Sequence, residues 1–324
     1  MNILKRWVKK FLSRAVEAAD SYKAMEADFA RLTEMTRFLC YENSNLRRIM
    51  RHLAAESPHY LSWISQTSKS FDFQWKNLPN SEHLLSNPEF MKSVGDLVCK
   101  YTGLPATWFP GKKVLDAGCG NGRFSWAMAQ LGAEVTAFDL SAHGVANLRR
   151  LANEAGLPIQ VFQHNVLEPL QLKTPFDLVW SFGVLHHTGN TFLGFQHIHP
   201  LVAQDGYLFL MLYGEPRMQA TYDFAELNHY ERLRRKTQNL DYAEKITILE
   251  NEPVVTDVHG WFDAISPFIN DYYSFGEIES WLHGVGFQNV KPMLENRNHF
   301  VMAQKSAKAY LPFTGDQAVC KIAS

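Results

Sequence analysis

"VLDAGCGNGRFS", residues 114–125, decides how this 324-residue chain is read. Val114 and Leu115 followed by small residues read as the end of a buried strand. Gly118, Gly120 and Gly122 come next, and a helical pattern opens at Arg123. Glycine permits a tight turn and lets a ligand lie close against the backbone. A helix start adds unpaired N–H groups. A dinucleotide fingerprint, G-x-G-x-x-G, would need its third glycine at position 123, which is Arg123 here. The spacing is G-x-G-x-G, with Asp116 two residues ahead of it, and this counts against NAD and FAD.

Outward from the loop, strands and helices alternate. Strands are expected at 112–118, 134–140, 159–165, 176–183 and 206–214, and helices at 88–102, 123–132 and 141–156. Such alternation implies a parallel sheet with helices on both faces. A helix at 275–286 and a hairpin of 287–294 with 299–305 add an antiparallel end. The interval 215–273 breaks the order with a charged helix and an aromatic stretch. It follows the fifth strand, at the sheet edge where ligands bind, and reads as a lid. Asp139 closes the second strand, 21 residues after Gly118. A carboxylate there can accept from both hydroxyls of a ribose. Capping the next helix is the alternative, although Ser141 is better placed to do so.

Five blocks now stand in order: "VLDAGCGNGRFS", "VTAFDLS", "QHNVLE", "FDLVWSFGVLHHT" and "GYLFLMLY". Together they resemble the class I S-adenosylmethionine-dependent methyltransferases, strongly over 111–214 and in pattern over 274–305. "FDFQWKN" (71–77) looks like the entry segment of members acting on small or lipid-linked substrates. The resemblance implies a Rossmann-like α/β fold: a seven-stranded, mostly parallel sheet with an antiparallel last strand and helices on both faces. It implies S-adenosyl-L-methionine as cofactor. Gly118, Gly120 and Gly122 would lie beneath its methionine part, with Asp116 supporting the loop and the ammonium. Asp139 would bind the ribose and Leu140 the adenine face, with Asn165 and Val166 at the adenine edge. Asn165 stands where the family commonly has Asp. Ser181 and Phe182 would close the pocket beside the sulfonium.

The fourth strand ends in "SFGVLHHTGN" (181–190). His186, His187, His197 and His199 are close enough in sequence to raise a metal site. However, adjacent histidines at a strand end diverge, and His197 and His199 point to different sides of a helix, so no metal is expected. The resemblance places the pair near the methyl-transfer centre, one facing the pocket and the other packed. His187 and His186 are therefore the catalytic candidates, with an imidazole suited to take a hydroxyl proton. His259, Asp263 and Tyr272 in the insertion are candidate substrate contacts.

The organisation expected is a helical arm at 1–57, an entry or cap segment at 58–110, a methyltransferase domain at 111–305 containing the lid-like 215–273, and a tail at 306–324. No Pro precedes Pro58 and no Gly precedes Gly95. A heptad series runs through Leu4, Phe11, Met25, Leu32, Leu39, Leu46 and Leu53, so the arm reads as a coiled coil for self-association. A helix lying on its own catalytic domain is the alternative. Residues 1–16 also set Trp7, Val8, Phe11 and Leu12 against Lys5, Arg6, Lys9, Lys10 and Arg14, the pattern of a peripheral membrane contact.

Net charge is −1, although residues 1–55 hold eleven Lys/Arg against six Asp/Glu, which leaves the remainder acidic. Nucleic acid is therefore not an expected partner. Four dispersed cysteines without C-x-x-C suit a reducing compartment, and no signal-like or membrane-spanning run occurs. The expectation is a cytoplasmic enzyme, soluble or peripheral to the membrane, that methylates a small-molecule, saccharide or lipid-linked acceptor. The competing readings are an RNA-modifying methyltransferase and a non-catalytic S-adenosylmethionine-binding scaffold.

Overall fold

Strand β1 (Lys113–Ala117) is apolar on both sides: Val114, Leu115 and Ala117 are all fully buried. A strand of that kind belongs at the centre of a covered parallel sheet. The computed structural model describes residues 20–28, 31, 46, 58–78, 87–172, 174–217 and 221–305, and β1 lies mid-sheet in it. Its neighbours are β2 (Glu134–Asp139), β3 (Ile159–Gln163), β4 (Phe176–Phe182), β5 (Val202–Leu212), β6 (Phe287–Pro292) and β7 (His299–Lys305). The order is β3-β2-β1-β4-β5-β7-β6, and β7 runs antiparallel to both β5 and β6. This is the seven-stranded sheet with a reversed last strand that the sequence pattern implies.

The alternation along each strand sends side chains into two cores. On one face, Val114, Trp180 and Phe209 meet α2 (Pro88–Thr102) and α3 (Arg123–Gln130) through Val98 and Met128. Trp180 and Phe209 stack with centroids 4.0 Å apart. On the other face, Leu115, Val179 and Leu210 meet Phe195 and Ile198 of α5 (Thr191–Ile198) and Ile278 and Leu282 of α9 (Phe275–Gly284). Each of these large side chains contributes about 1.5–3 kcal/mol by leaving water. Between them, α4 (Ala142–Ala155) starts at Ser141, whose hydroxyl accepts from Gly144 N, and ends at left-handed Gly156. The start of α2 is set similarly, with the Asn87 side chain accepting from Glu89 N and Phe90 N ahead of a proline.

The interval after β5 folds into α6 (Thr221–Thr237), α7 (Tyr242–Glu250) and α8 (Val258–Ile265) around a small third core of Leu233, Leu249, Trp261, Phe262 and Ile265. The helix before the sheet, α1 (Pro58–Asn77), brings Phe73 against that core, and Leu78 just beyond it is part of the core. Polar bonds join the same partners: Ser70 Oγ donates to Ser266 Oγ (2.8 Å), and Gln66 Nε2 donates to Ser266 O (2.9 Å). So α1 and the insertion form one body over the C-terminal edge of the sheet.

Residues 20–28 are helical and exposed. Most of the arm, including the basic–apolar face of 1–16 and most of the heptad series, lies outside the described residues, as does the tail 306–324. No helix among the described residues is long and apolar enough to cross a membrane.

Gly122 precedes α3 at φ +88°, and the Leu148 side chain occupies the space a Cβ would need. Strain in the left-handed region and overpacking of a buried leucine add. Gly122→Ala is expected to cost about 2–4 kcal/mol, read as a lower urea midpoint at unchanged slope.

Candidate functional site

The C-terminal ends of β1, β2 and β4 open into a cavity of about 250 Å³. Its floor is the 118–122 loop. Gly118 N and Cys119 N both donate to Phe138 O, and Gly122 N donates to Cys119 O, so the loop is tied to β2 and to itself. All three glycines have positive φ. Side chains of Val184, Trp75 and Leu148 stand where the Cβ atoms of residues 118, 120 and 122 would be. A Cβ at Gly144 would run into the Gly120 carbonyl from the α4 side. By contrast, a Cβ at Gly183, just after β4 and also on the cavity wall, would meet no atom within 4 Å.

Asp139 is half-buried at the cavity edge. Its Oδ2 accepts from Gly120 N (2.9 Å) and its Oδ1 from Ser141 N (2.8 Å). Burial raises its pKa, and these two amides offset part of the rise. Each oxygen keeps a lone pair for a further donor. Ser141 is the actual cap of α4, as its position suggests. Asp116 is nearly inaccessible and accepts from Ser125 Oγ at 2.5 Å. Burial pushes it up to about 7, with the neighbouring Asp139 adding to the rise.

Leu140, Asn165, Val166 and Phe182 also line the cavity, whereas Ser181 does not. The Ser181 hydroxyl points back into the sheet and donates to Ala117 O (3.1 Å), because alternation along β4 turns it away from Phe182. Asn165 Oδ1 accepts from Leu167 N (3.0 Å) and shapes its own turn.

The paired histidines separate. They occupy a short 3-10 turn, Leu185–His187, just after β4. His187 lines the cavity, with its Nδ1 donating to Ile269 O (2.9 Å) and its ring edge-on to Phe71. Nδ1 must carry the hydrogen there, so the neutral ring has Nε2 as its acceptor. Burial pushes His187 down to about 4. His186 is fully buried behind it, stacked on Tyr213 at 3.9 Å, with Nδ1 accepting from Tyr213 N (3.4 Å). It is absent from the cavity wall, so of the two candidates His187 faces the cavity and His186 is the packed one. The tight turn sends adjacent side chains to opposite sides. His197 is engaged elsewhere, its Nδ1 donating to Val166 O (3.0 Å).

From the insertion, His259 and Asp263 reach the cavity and Tyr272 does not. Tyr272 stacks on Tyr213 (5.9 Å) and lies under the Arg297 guanidinium. Burial drives His259 down to about 4, with Arg123 adding to the fall, and lifts Asp263 to about 7.

Several wall residues were given no individual role by the sequence, although Phe71 and Trp75 lie in the segment "FDFQWKN", 71–77. Ile64, Thr67, Phe71 and Trp75 present one face of α1, a spacing of three and four that marks a helical stripe. Trp75 covers Gly120, packs against His259 at 5.2 Å, and accepts at its carbonyl from Asn121 Nδ2 (3.2 Å). Ser141 Oγ donates to Asp72 Oδ1 (2.7 Å), a second latch from α1 to the floor. Arg123, whose guanidinium lies 4.6 Å from the Phe124 ring centroid, and Tyr213 complete the wall.

Residues 114–206 match a family described as a methyltransferase domain. The chain is 38% identical over 112 residues to the ubiquinone biosynthesis O-methyltransferase of Maricaulis maris, covering 33% of this chain and 44% of that protein. It is 39% identical over 106 residues to the enzyme of the same name from Haemophilus ducreyi, covering 31% and 44%. The match thus spans less than half the length of these curated relatives. Among solved structures, magnesium protoporphyrin IX methyltransferase from Synechocystis PCC 6803 with bound SAH is 19% identical, covers 74% of this chain and 96% of its own, and has a TM-score of 0.47.

Asp116 yields a pH test. Its folded pKa, about 7, lies above its ordinary value of 3.8. The folded state therefore holds more protons than the unfolded state between those values, and its stability falls as pH rises through that window. Asp116→Asn removes this contribution. Relative to wild type, the variant is expected to gain on the order of 2–3 kcal/mol between pH 5 and pH 8, measured by urea unfolding at both.

Proposed function

We propose that this chain, which carries a class I S-adenosylmethionine-dependent methyltransferase domain, transfers a methyl group to a small-molecule acceptor with a flat, aromatic body. One observation carries the proposal: a single cavity takes in both the glycine floor with Asp139 and a chamber walled by Phe71, Trp75, Phe182, His187 and Tyr213. Aromatic walls favour a planar guest through stacked and edge-on contacts. The curated relatives are named for O-methyl transfer in ubiquinone biosynthesis, which agrees with a small acceptor.

The residues present fit the cofactor. The floor has no side chains at positions 118, 120 and 122, and the space beside Gly183 is open. Bound there, S-adenosylmethionine would supply an electrophilic methyl group on a sulfonium, leaving a neutral thioether. Asp139 would accept from the ribose hydroxyls and Asp116 would face the ammonium. A cation beside Asp116 would stabilise its ionised form and reverse the effect of burial. Leu140, Asn165 and Val166 would hold the adenine, and Phe182 would screen the reacting centre from water. His187 would orient the acceptor through Nε2.

The protein's own part is to position the partners and exclude water, which suits in-line methyl transfer. The α1 helix (within 58–110) and the insertion 215–273 act together as the cap over the acceptor. Trp75 must shift or swing for the guest to enter, because it covers the floor at Gly120. Residues 1–57 would serve self-association and bring the basic–apolar pattern of 1–16 to an anionic membrane surface, where a lipid-linked acceptor would be met. The enzyme would work in the cytoplasm or at its membrane boundary.

Addition of S-adenosylhomocysteine at a hundred times its Kd is expected to stabilise the protein by about 2.7 kcal/mol, a rise of roughly 5–8 °C in Tm. Asp139→Ala should weaken binding at least tenfold by calorimetry, and an unchanged Kd would contradict the ribose role. Removing residues 1–57 should lower the sedimenting mass and reduce partition onto phosphatidylserine vesicles. If neither changes, both readings of the arm fail.

A further inference from the structure

Helix α8 presents two polar side chains to the cavity, one turn apart: His259 and Asp263. Its other face, with Trp261, Phe262 and Ile265, is anchored in the small third core. The start of the helix is fixed by Asp257, whose carboxylate accepts from His259 N and Gly260 N. The pair is therefore held on a rigid element. Gln74 of α1, itself fully buried, sets its Nε2 2.9 Å from His259 Nδ1 and also hydrogen-bonds the Asp263 carboxyl.

The hydrogen-bond accounting at this end is unbalanced. Asp263 Oδ1 is buried and accepts from nothing among the described residues, and the same holds for Gln74 Oε1. A buried carboxylate oxygen without a donor, on a residue that lines the cavity, is costly. A guest that brings an O–H or N–H donor would relieve it. The charged and titratable groups facing Asp263 are Arg123 at the start of α3, Asp257 ahead of α8 and Tyr213 just after β5, with His259 one turn away on its own helix. Burial raises its pKa, the Gln74 hydrogen bond and then the Arg123 charge lower it, Asp257 raises it, and burial outweighs the rest.

We propose that Asp263 is the catalytic residue that takes the acceptor's proton, and that the acceptor accordingly offers a hydroxyl. The inference rests on the methyl-transfer reading above and assigns its proton step to the insertion rather than to the histidine pair. The alternatives are weaker bases. His186 does not reach the cavity. His187 and His259, both pushed down to about 4, hold a proton roughly a thousandfold less well than a group titrating at about 7. A neutral hydroxyl is a poor nucleophile, and a base titrating near the working pH is the one that helps it most. In the step, the acceptor O–H bond breaks and its proton goes to the Asp263 carboxylate. The electron pair left on oxygen forms the new bond to the methyl carbon. The pair of the broken carbon–sulfur bond stays on sulfur, and the proton passes to solvent as product leaves.

The test uses the full-length protein with labelled S-adenosylmethionine and two probes, catechol and aniline. Label is expected in catechol, with kcat/KM rising with pH through about 7 as Asp263 ionises. Asp263→Asn should lower kcat at least a hundredfold and abolish that limb, leaving the Kd of S-adenosylhomocysteine within twofold of wild type. Asp263→Glu should restore part of the rate. A readout without turnover accompanies these: catechol is titrated into the protein–S-adenosylhomocysteine complex at pH 6.5, in two buffers of different ionisation heat. Wild type should release a fraction of a proton, because a donated hydroxyl favours the carboxylate, and Asp263→Asn should release none. Turnover of catechol by Asp263→Asn within threefold of wild type overturns the inference. So does proton release that survives in the variant, label entering aniline alone, or a protein that binds S-adenosylhomocysteine but neither binds nor methylates catechol. Failure of wild type to bind S-adenosylhomocysteine has a different meaning: the methyl-transfer reading falls, and this inference falls with it.

Discussion

Three glycines in five residues, each at positive φ and each lying beneath a side chain from another element, set the terms for everything around them. Val184 comes from the end of β4, Leu148 from α4 and Trp75 from α1. The floor is therefore the point where three separate parts of the chain close on one backbone. Because no Cβ intervenes, Gly120 N can reach Asp139 and the Gly120 carbonyl can lie against Gly144. The same closeness lets α1 latch down, with Asn121 on the Trp75 carbonyl and Ser141 on Asp72. A larger side chain in the loop would lift the helix that walls the acceptor chamber as well as blocking a ligand.

The electrostatics of the cavity follow from burial more than from pairing. Two carboxyls, Asp116 and Asp263, are pushed up to about 7, and two imidazoles, His187 and His259, are pushed down to about 4. At neutral pH the histidines are uncharged and the acids are poised between states. This inverts the usual assignment, in which histidine is the group that titrates near neutrality. Each poised acid has a distinct neighbour. Asp116 keeps a serine hydroxyl, while Asp263 has an unpartnered oxygen and an arginine nearby. The first suits a fixed cation and the second a transferable proton.

The parts legible in the sequence are those governed by short-range rules. Hydrophobic runs, glycine positions and helix caps located all seven strands and the helices that follow β1 and β2, because burial on both faces of a parallel sheet leaves a clear pattern. They set no bounds for the helix at Thr191–Ile198. The floor and its rim were readable for the same reason. What alternation hides is direction. Ser181 and Phe182 are neighbours on one strand, yet only Phe182 meets the cavity. His186 and His187 are split by a 3-10 turn whose twist no pattern announced. The segment 71–77 was singled out, but no individual role for its Gln74 and Trp75, or for Arg123, was legible, because their placement arises from contacts across large separations in sequence, Gln74 with His259 among them.

That separation bears on where specificity resides. The family match stops at residue 206, and the curated relatives align only over a comparable stretch. Phe71, Gln74 and Trp75 lie before it, and Tyr213, His259 and Asp263 lie after it. Five of these six line the cavity, and Gln74 contacts one of them, His259. The matched segment accounts for the glycine floor with Asp116 and Asp139, and for His187 on the cavity wall. The remainder is bound together by its own small core, in which Phe73 and Leu78 from one side meet Leu233, Trp261 and Phe262 from the other. A cap with a separate core can exchange its lining without disturbing the sheet. Likeness over 114–206 therefore bears on the glycine floor and its rim, and the lining of the rest of the cavity is set by the residues that flank that segment.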